Sequence, residues 1–239
     1  MHENAPEIKK LARTTAAENT TAPKRTKVVI NESDFDRLLN NIRKENLIGK
    51  KTPDIVALRN TTALLVVLFS ILRPKDASLM NRDRCIWEDN QAIFTIGGDN
   101  RRGEGAARAN ASTAKNDKDN EGQRIRITKL DDPSICPYTY LKRYVAVTSE
   151  HKCNAVWLTK DGKPCAAPTI SSGIKSIFKA AGLEVGKEGY LAKDLRSTMA
   201  SRLVSRDHKE LARSLGRWKD IASMDRGYIE LTAKSSDLL

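Results

Sequence analysis

Two pairs of charged residues are spaced so that the members of each pair can act together. Arg73 follows the apolar run 64–72, and Asp76 comes three residues later. Because an unpaired charge beside a core segment is costly, we expect Asp76 to pair with Arg73 across one helical turn. Lys193 and Arg196 are also three residues apart. Residues at this spacing share a helix face, so both cations can converge on one small anion.

Two aromatic residues near the end of the chain are further candidate site residues. Trp218 closes the segment Leu-Gly-Arg-Trp at 215–218, and Tyr228 follows ten residues later. A tyrosine hydroxyl is one of the side-chain nucleophiles that enzymes use in covalent catalysis. Taken alone, each of these features is ordinary: an Arg–Asp pair often caps a core helix, basic residues usually form a solvated face, and Trp and Tyr usually pack in the core.

Most of the elements that must hold these residues are predicted to be helices. Residues 31–33 are a helix-start signal ahead of apolar residues at helical spacing. A second helix is predicted from 53–54 to about 72, apolar on most sides toward its end, which is typical of a buried central helix. Further helices are predicted over 138–147, 169–181, 193–204, 209–215 and around 228.

A small sheet interrupts the helical pattern near the middle of the chain. Residues 85–87 and 92–96 flank the turn 88–90 and predict a hairpin, and residues 124–128 alternate strictly as a strand does. The polar, Gly- and Asn-rich segment 97–123 predicts a long mobile loop. The predicted fold class is therefore α+β, mainly α: a helical bundle with a small three-stranded antiparallel sheet.

The overall charge indicates a polyanionic partner. The 239 residues include 42 Lys+Arg and 30 Asp+Glu, a formal charge of +12, with a pI of about 9.6. This excess favours nucleic acid, without distinguishing DNA from RNA. The longest apolar run, 63–72, is shorter than the ~20 residues of a membrane span. Because the N-terminus also lacks an apolar signal core, we expect neither membrane insertion nor secretion.

The cysteine and histidine pattern gives no metal signature. Four cysteines lie far apart, and the three histidines do not complete a zinc set with them. We therefore expect reduced intracellular thiols and neither a metal nor another cofactor. Residues 1–30 predict a flexible basic arm or linker, and residues 31–239, which hold the candidate site residues named above, are predicted to form one domain.

In this order, the motifs resemble those of the tyrosine recombinase (phage integrase) family. The similarity extends over about residues 31–232. The amino-acid sequence of segment 132–137 and the spacing between Trp218 and Tyr228 are most similar to those of transposon-borne eukaryotic members, such as Crypton or DIRS-type elements. The motifs that carry the family resemblance are LRPKD at 72–76, KDLRS at 193–197, LGRW at 215–218 and GYI at 227–229.

The resemblance implies a role for each candidate residue. Arg73 and Arg196 would clamp the non-bridging oxygens of a scissile phosphate, where fixed cations stabilise the developing charge. Asp76 would hold Arg73, and Lys193 would stand where the family more often has histidine. Trp218 would donate its indole N–H to the phosphate or pack against the tyrosine helix, with Arg217 as an alternative occupant of that position. Tyr228 would be the nucleophile.

The general acid of the family is a lysine on a sheet turn, which in this chain falls in segment 97–123. Lys115 and Lys118 are both candidates. Lys115 is preferred because its surroundings are similar to the Lys-x-Asp…Gly pattern of transposon members. The alternative is that both lysines are solvated charges of the loop and take no part in catalysis.

The function implied is a site-specific DNA recombinase or transposase that works through a 3′-phosphotyrosine intermediate, without metal or ATP. Its partner would be double-stranded DNA, bound by a homodimer or tetramer on paired sites, inside the cell and in the nucleus if the host is eukaryotic. The alternatives are a catalytically silent DNA-binding protein of the same fold and, less in keeping with the length, a type IB topoisomerase. Predicted contacts to the DNA backbone are Lys24, Arg25, Arg202, Arg206, Lys209, Arg213 and Lys219.

Overall fold

Helices form most of the regular structure in the computed structural model, which describes residues 28–97 and 122–225. Two single-turn 3₁₀ helices lie at Arg82–Arg84 and Pro133–Ile135, and residues 221–225 are also helical. The α-helices are α1 (Glu32–Glu45), α2 (Ile55–Phe69), α3 (Pro74–Ala77), α4 (Pro137–Val147), α5 (Ala167–Ala180), α6 (Asp194–Val204) and α7 (Lys209–Gly216).

Helix α2 is the centre of the fold, as its apolar sequence predicts. Every residue from Leu58 to Leu68 is buried, and the helix packs against α4, α5 and α6. The side chain of Asp54 caps its first turn by accepting a hydrogen bond of 2.8 Å from the Ala57 N–H. A helix surrounded in this way has no polar face to present to solvent, which is why its sequence lacks amphipathic periodicity.

The chain turns sharply after α2, earlier than the predicted end near 72. Ile71 has a left-handed backbone conformation, with φ of 49°. Arg73 is extended, as expected of a residue that precedes proline, and Pro74 opens the separate short helix α3. The buried indole N–H of Trp157 donates a 2.7 Å hydrogen bond to the Ala77 carbonyl and so holds α3 in place. Arg73 thus begins a new element and does not end the central helix.

Among the described residues, three strands form an antiparallel sheet in the order β1 (Cys85–Trp87), β2 (Gln91–Ile96), β3 (Gln123–Thr128). Phe94 pairs with Cys85 on one side and with Ile125 on the other. Alternate residues of β2 are buried, which matches the period of two in its sequence. The mainly helical α+β fold with a small antiparallel sheet, predicted from the sequence, is confirmed.

Among the described residues, Ile30 is the first on the N-terminal side that is buried in the core. Its side chain is buried, and its N–H donates a 2.9 Å hydrogen bond to the hydroxyl of Thr198 in α6. Asn31 then caps α1 by accepting a 2.8 Å hydrogen bond from the Asp34 N–H. Residues 1–27 lie outside the described residues, so the predicted basic arm remains a prediction.

A second, smaller core lies beside the main one and joins four segments. Its buried members are Ile71 after α2, Ala200 in α6, Ala212 in α7, and Met224 in the helical turn 221–225. Trp218 packs against it. This cluster fixes the turn after α2, the end of α7 and the last described turn relative to one another. No helix in the described part of the chain is long and apolar enough to cross a membrane.

Candidate active site

Four of the residues singled out from the sequence line a single cavity of about 880 Å³: Arg73, Lys193, Arg196 and Trp218. They come from three distant segments of the chain, and the cavity lies where α3, α5, α6 and the turn after α7 meet. The first residues of α5 and of α6 line the cavity as well. Helix N-termini favour anions because their N–H groups and dipoles point outward. The remaining catalytic candidates, Lys115 (or Lys118) and Tyr228, lie outside the described residues.

Arg73 and Asp76 form the ion pair that their spacing suggests. The Arg73 Nη1 atom lies 3.6 Å from Asp76 Oδ2. The Asp76 side chain is only 8% exposed, whereas that of Arg73 is 42% exposed. The buried carboxylate therefore anchors one side of a guanidinium whose other side remains accessible from the cavity.

Arg196 is buried and ties together the ends of two helices. Its Nη1 donates a 2.5 Å hydrogen bond to the Ile71 carbonyl, beyond the C-terminus of α2. Its Nη2 donates a second 2.5 Å hydrogen bond to the carbonyl of Gly216, the last residue of α7. A cation is stabilised at helix C-termini, where carbonyls lack partners within the helix. Arg196 therefore organises the cavity wall in addition to lining it.

The turn after α7 brings the Trp218 ring against Gly216 and Arg196. Arg217 is left-handed, with φ of 54°, and ends the helix. A Cβ atom on Gly216 would lie 1.7 Å from the Trp218 ring, so no larger residue fits while the ring stays in place. Trp218 packs its ring on Arg196, with 4.4 Å between the ring centroid and the guanidinium carbon. The glycine thus permits the contact between the tryptophan and the arginine.

Arg217 contributes a further positive charge behind the cavity. Burial lowers the pKa of the Arg217 guanidinium from 12.5 to about 10; Arg73 also lowers this pKa, and Asp76 opposes the shift. At neutral pH, Arg217 thus carries a charge close to both Arg73 and Asp76. Asp76 compensates the charges of both arginines, and these two cations stabilise its buried carboxylate.

Two lysines in the cavity wall escaped the sequence analysis. Lys75 in α3 and Lys175 in α5 line the cavity together with the predicted residues. Lys175 lies one turn after Ser171 and two turns after Ala167, all on the same face of α5. The i, i+4, i+8 spacing can be read from the sequence, but the sequence of α5 alone does not indicate which other element this helix face contacts. The lining holds five cations and one carboxylate, Asp194, whose Oδ2 accepts a 2.8 Å hydrogen bond from the Leu191 N–H.

The predicted DNA-backbone contacts differ in their surroundings. Arg206 and Lys219 are exposed, whereas Lys24 and Arg25 lie outside the described residues. Arg213 bonds Glu210 through its Nε at 2.8 Å. Arg202 donates hydrogen bonds to both carboxylate oxygens of Glu32, and its guanidinium lies 4.0 Å from the Phe35 ring centroid. The structure therefore gives Arg202 an internal partner in α1.

Comparison with known proteins identifies the fold. No protein-family model matches the chain, and no curated protein matches its sequence. Among solved structures, the XerH site-specific recombinase bound to palindromic difH substrate, in a post-cleavage complex, is similar with a TM-score of 0.60 and 15% identity, over 91% of this chain and 55% of that chain. The XerA recombinase has a TM-score of 0.54 and 13% identity, over 85% of this chain and 59% of that one.

A lambda integrase dimer bound to a COC' core site is similar as well, with a TM-score of 0.52 and 14% identity, over 89% of this chain and 52% of that chain. The chain thus spans little more than half the length of these structures. At this level of identity, the similarity establishes the fold: it is the fold of the tyrosine recombinase catalytic domain.

Proposed function

We propose that this chain, which has the tyrosine recombinase catalytic fold, is a member of that family and cleaves and rejoins DNA through a covalent phosphotyrosine. One observation carries the proposal: Arg73, Lys193, Arg196 and Trp218, picked from separate motifs, line the same cavity. A fold alone does not define a function. Here the fold and an independently identified set of residues support the same chemistry.

The charge of the cavity supports phosphate as the ligand. Five cations face one carboxylate in the lining, and the Asp194 carboxylate already accepts a backbone hydrogen bond. Arg73 and Arg196 present planar guanidinium groups, which suit bidentate contacts to phosphate oxygens. The contacts of Arg196 to two carbonyls and to Trp218 hold its plane before a substrate arrives. Such preorganisation lowers the cost of stabilising charge in the transition state.

The lysines of the cavity support binding of the neighbouring DNA backbone. Lys193 is exposed at the start of α6, and Lys75 and Lys175 lie in adjacent helices. Contacts of lysine with phosphates contribute affinity without sequence information, and they weaken with salt. We assign these three lysines to phosphates at and beside the scissile position. Arg206, Lys219, Lys24 and Arg25 would extend this contact along the duplex.

The reaction would be a transesterification at phosphorus. The Tyr228 oxygen attacks the phosphate and gives its proton to water, the bond from phosphorus to the 5′ oxygen breaks, and Lys115 or Lys118 donates a proton to that departing oxygen. The product is a 3′-phosphotyrosine and a free 5′-hydroxyl. Since the phosphotyrosine conserves the bond energy, attack by another 5′-hydroxyl rejoins the strand without ATP or metal.

The partner proposed is double-stranded DNA, bound by two or four copies of the chain on paired sites. The similar XerH structure is bound to palindromic difH substrate, one similar lambda integrase structure is bound to DNA, and another is a dimer bound to a COC' core site. The assignment to transposon-type elements, and the nuclear location that it would entail in a eukaryotic host, rest on the sequence resemblance. Action on DNA would place the protein inside the cell.

Covalent trapping tests the proposal. The probe is a library of nicked duplexes of randomised sequence, in which loss of a short fragment makes cleavage irreversible. Wild-type protein should form a complex that survives denaturation, and Tyr228→Phe should form none. Arg73→Ala should slow trapping by roughly a hundredfold or more. DNA binding without trapping by the wild type would favour the silent DNA-binding protein, and relaxation of supercoiled plasmid without sequence preference would favour a topoisomerase.

A further inference from the structure

The hydroxyl of Ser197, in α6, belongs to the cavity wall. Ser197 is only 7% exposed and lines the cavity. Within residues 28–97 and 122–225, no hydrogen bond involves its hydroxyl. The next residue shows the usual alternative, because the Thr198 hydroxyl donates a 2.8 Å hydrogen bond to the Asp194 carbonyl one turn earlier. A buried hydroxyl without a partner is unfavourable, so this position suits a ligand that supplies an acceptor.

Ser201, one turn further along α6, shows what distinguishes Ser197. Ser201 is 8% exposed, and its Oγ is buried with no hydrogen-bond partner among the described residues. It does not line the cavity. The Oγ of Ser197 is not closed off in this way, and Ser197 lies in the cavity lining. Of these two serines, only Ser197 can offer its hydroxyl to a molecule in the cavity.

The surroundings of Ser197 favour an anion. It is the fourth residue of α6, a helix of eleven residues. Lys193, at the N-cap position, makes no capping hydrogen bond with its side chain. Lys193 and Ser197 are four residues apart and share a helix face, with Arg196 in the same lining. The positive end of the helix dipole and these two cations attract negative charge, and a phosphate oxygen would accept the hydrogen bond that Ser197 can donate.

We propose that Ser197 is a further substrate-binding residue of the site: its hydroxyl donates a hydrogen bond to a non-bridging oxygen of the phosphate that Arg73 and Arg196 bind. This inference rests on the proposed function. Negative charge builds up on the non-bridging oxygens during the transfer, and a donor that the helix already holds in place stabilises that charge without reorganisation. From the sequence alone, Ser197 was only the last residue of the motif KDLRS at 193–197.

The test compares Ser197→Ala with a matched control, Ser201→Ala, since each variant removes one hydroxyl from the same helix. The substrate is a nicked duplex recovered from the trapping library, and the readout is the single-turnover rate of covalent complex formation. Ser197→Ala should lower this rate about ten- to a hundredfold, as expected when a charged oxygen loses one hydrogen bond, and Ser201→Ala should leave it unchanged. A wild-type rate in Ser197→Ala would overturn the proposal, as would an equal loss in Ser201→Ala.

Thermal stability and a rescue variant separate substrate binding from a structural role. Neither hydroxyl has a partner in the described part of the chain, so both alanine variants should unfold at the temperature of the wild type. Ser197→Thr keeps the hydroxyl and should restore most of the rate. A slow Ser197→Ala variant that also unfolds at a clearly lower temperature than Ser201→Ala would assign Ser197 a structural role and overturn the proposal.

Binding of inorganic phosphate distinguishes this inference from the proposed function, because it requires no cleavage of DNA. Phosphate is titrated into the wild type and both alanine variants, and the amide chemical shifts of residues 193–197 are followed by NMR. The wild type and Ser201→Ala should bind phosphate alike, and Ser197→Ala should bind it roughly tenfold more weakly. Equal affinity in all three proteins, or no binding at 193–197 in the wild type, would overturn the inference. If the wild type traps no DNA, the proposed function fails, and this titration still decides whether Ser197 binds an anion.

Discussion

Arg196 and Trp218 form a stacked pair in the wall of the cavity, with the guanidinium carbon 4.4 Å from the ring centroid. The same guanidinium donates to the carbonyls of Ile71 and Gly216. One side chain therefore connects the turn that leads to Arg73 with the turn that presents Trp218. This arrangement makes the geometry of the two arginines interdependent, because a change at either turn moves Arg196.

Trp218→Ala should therefore impair catalysis through Arg196. Loss of the ring removes a cation–π contact of about 0.5–2 kcal/mol and part of the packing of the small core. We expect the rate of covalent complex formation to fall roughly tenfold, with a smaller decrease in Trp218→Phe, which keeps a ring. Trp87→Ala, which removes a partly exposed tryptophan of the sheet, is the control and should leave the rate unchanged. Similar rates for Trp218→Ala and the wild type would argue against the stacking role.

Gly216→Ala should displace Trp218. The new Cβ would lie 1.7 Å from the ring, so the ring must move. We expect trapping to fall at least as far as in Trp218→Ala, because the shift also disturbs the carbonyl that Arg196 binds. Gly49→Ala, whose Cβ would meet only the mobile end of the Asn46 side chain, is the matched control. A normal rate in Gly216→Ala, with thermal stability like that of the wild type, would contradict the geometry described for this turn.

Asp76→Asn should cost both stability and activity. The substitution removes the carboxylate that compensates Arg73 and the half-buried Arg217. We expect a loss of roughly 1–3 kcal/mol in the free energy of unfolding, measured with denaturant, because two neighbouring arginines lose the carboxylate that compensates their charge. The trapping rate should fall as well, since Arg73 loses its anchor. Asp131→Asn, which changes a carboxylate outside the cavity, should have little effect on either measurement.

The Glu32–Arg202 pair predicts a small dependence of stability on pH. The hydrogen bond from Arg202 lowers the pKa of Glu32 below its ordinary value of 4.5. The pair therefore stabilises the fold above the unfolded-state pKa, and this contribution disappears as pH falls through the lower folded-state pKa. Because the Glu32 side chain is 70% exposed, water and salt screen the interaction, and we expect about 0.2–1 kcal/mol.

Comparing Glu32→Gln with the wild type measures this contribution. The two proteins should differ in free energy of unfolding at neutral pH and low salt, and the difference should shrink as pH falls below 4.5 and vanish at a pH below the lowered pKa of Glu32 in the folded state. A difference that stays constant down to that pH would show that Glu32 contributes through packing and not through its charge.

Local sequence patterns predict most of the fold because they depend on neighbours in the chain. The period of α1, the apolar run of α2 and the alternation of β2 and β3 each follow from residues within one element. The predicted ends of helices and strands are less accurate where an unusual backbone conformation ends the element. Ile71 has a left-handed backbone conformation, which is unfavourable for a β-branched residue. The sequence therefore gives no sign of the turn, and the helix was predicted to extend to about Leu72.

Site residues that belong to recognisable motifs could be predicted from the sequence. Residues whose role depends on a partner far away in the sequence could not. Arg73, Lys193, Arg196 and Trp218 belong to recognisable segments, and they do line one cavity. In contrast, Arg202 was grouped with the DNA contacts, although its partner Glu32 lies 170 residues away in sequence. A cation in a sequence looks the same whether it faces solvent, DNA or a carboxylate of the same fold. Only the contacts of Arg202 with Glu32 and Phe35 in α1 distinguish these surroundings.

The measurement that tests the central claim most directly is identification of the residue attached to DNA. Wild-type protein trapped on the nicked library would be digested with protease and nuclease, and the modified peptide sequenced by mass spectrometry. The account predicts a nucleotide joined through its 3′ phosphate to the oxygen of Tyr228, and no such peptide from Tyr228→Phe. A nucleotide attached to another residue, or joined through a 5′ phosphate, would contradict it.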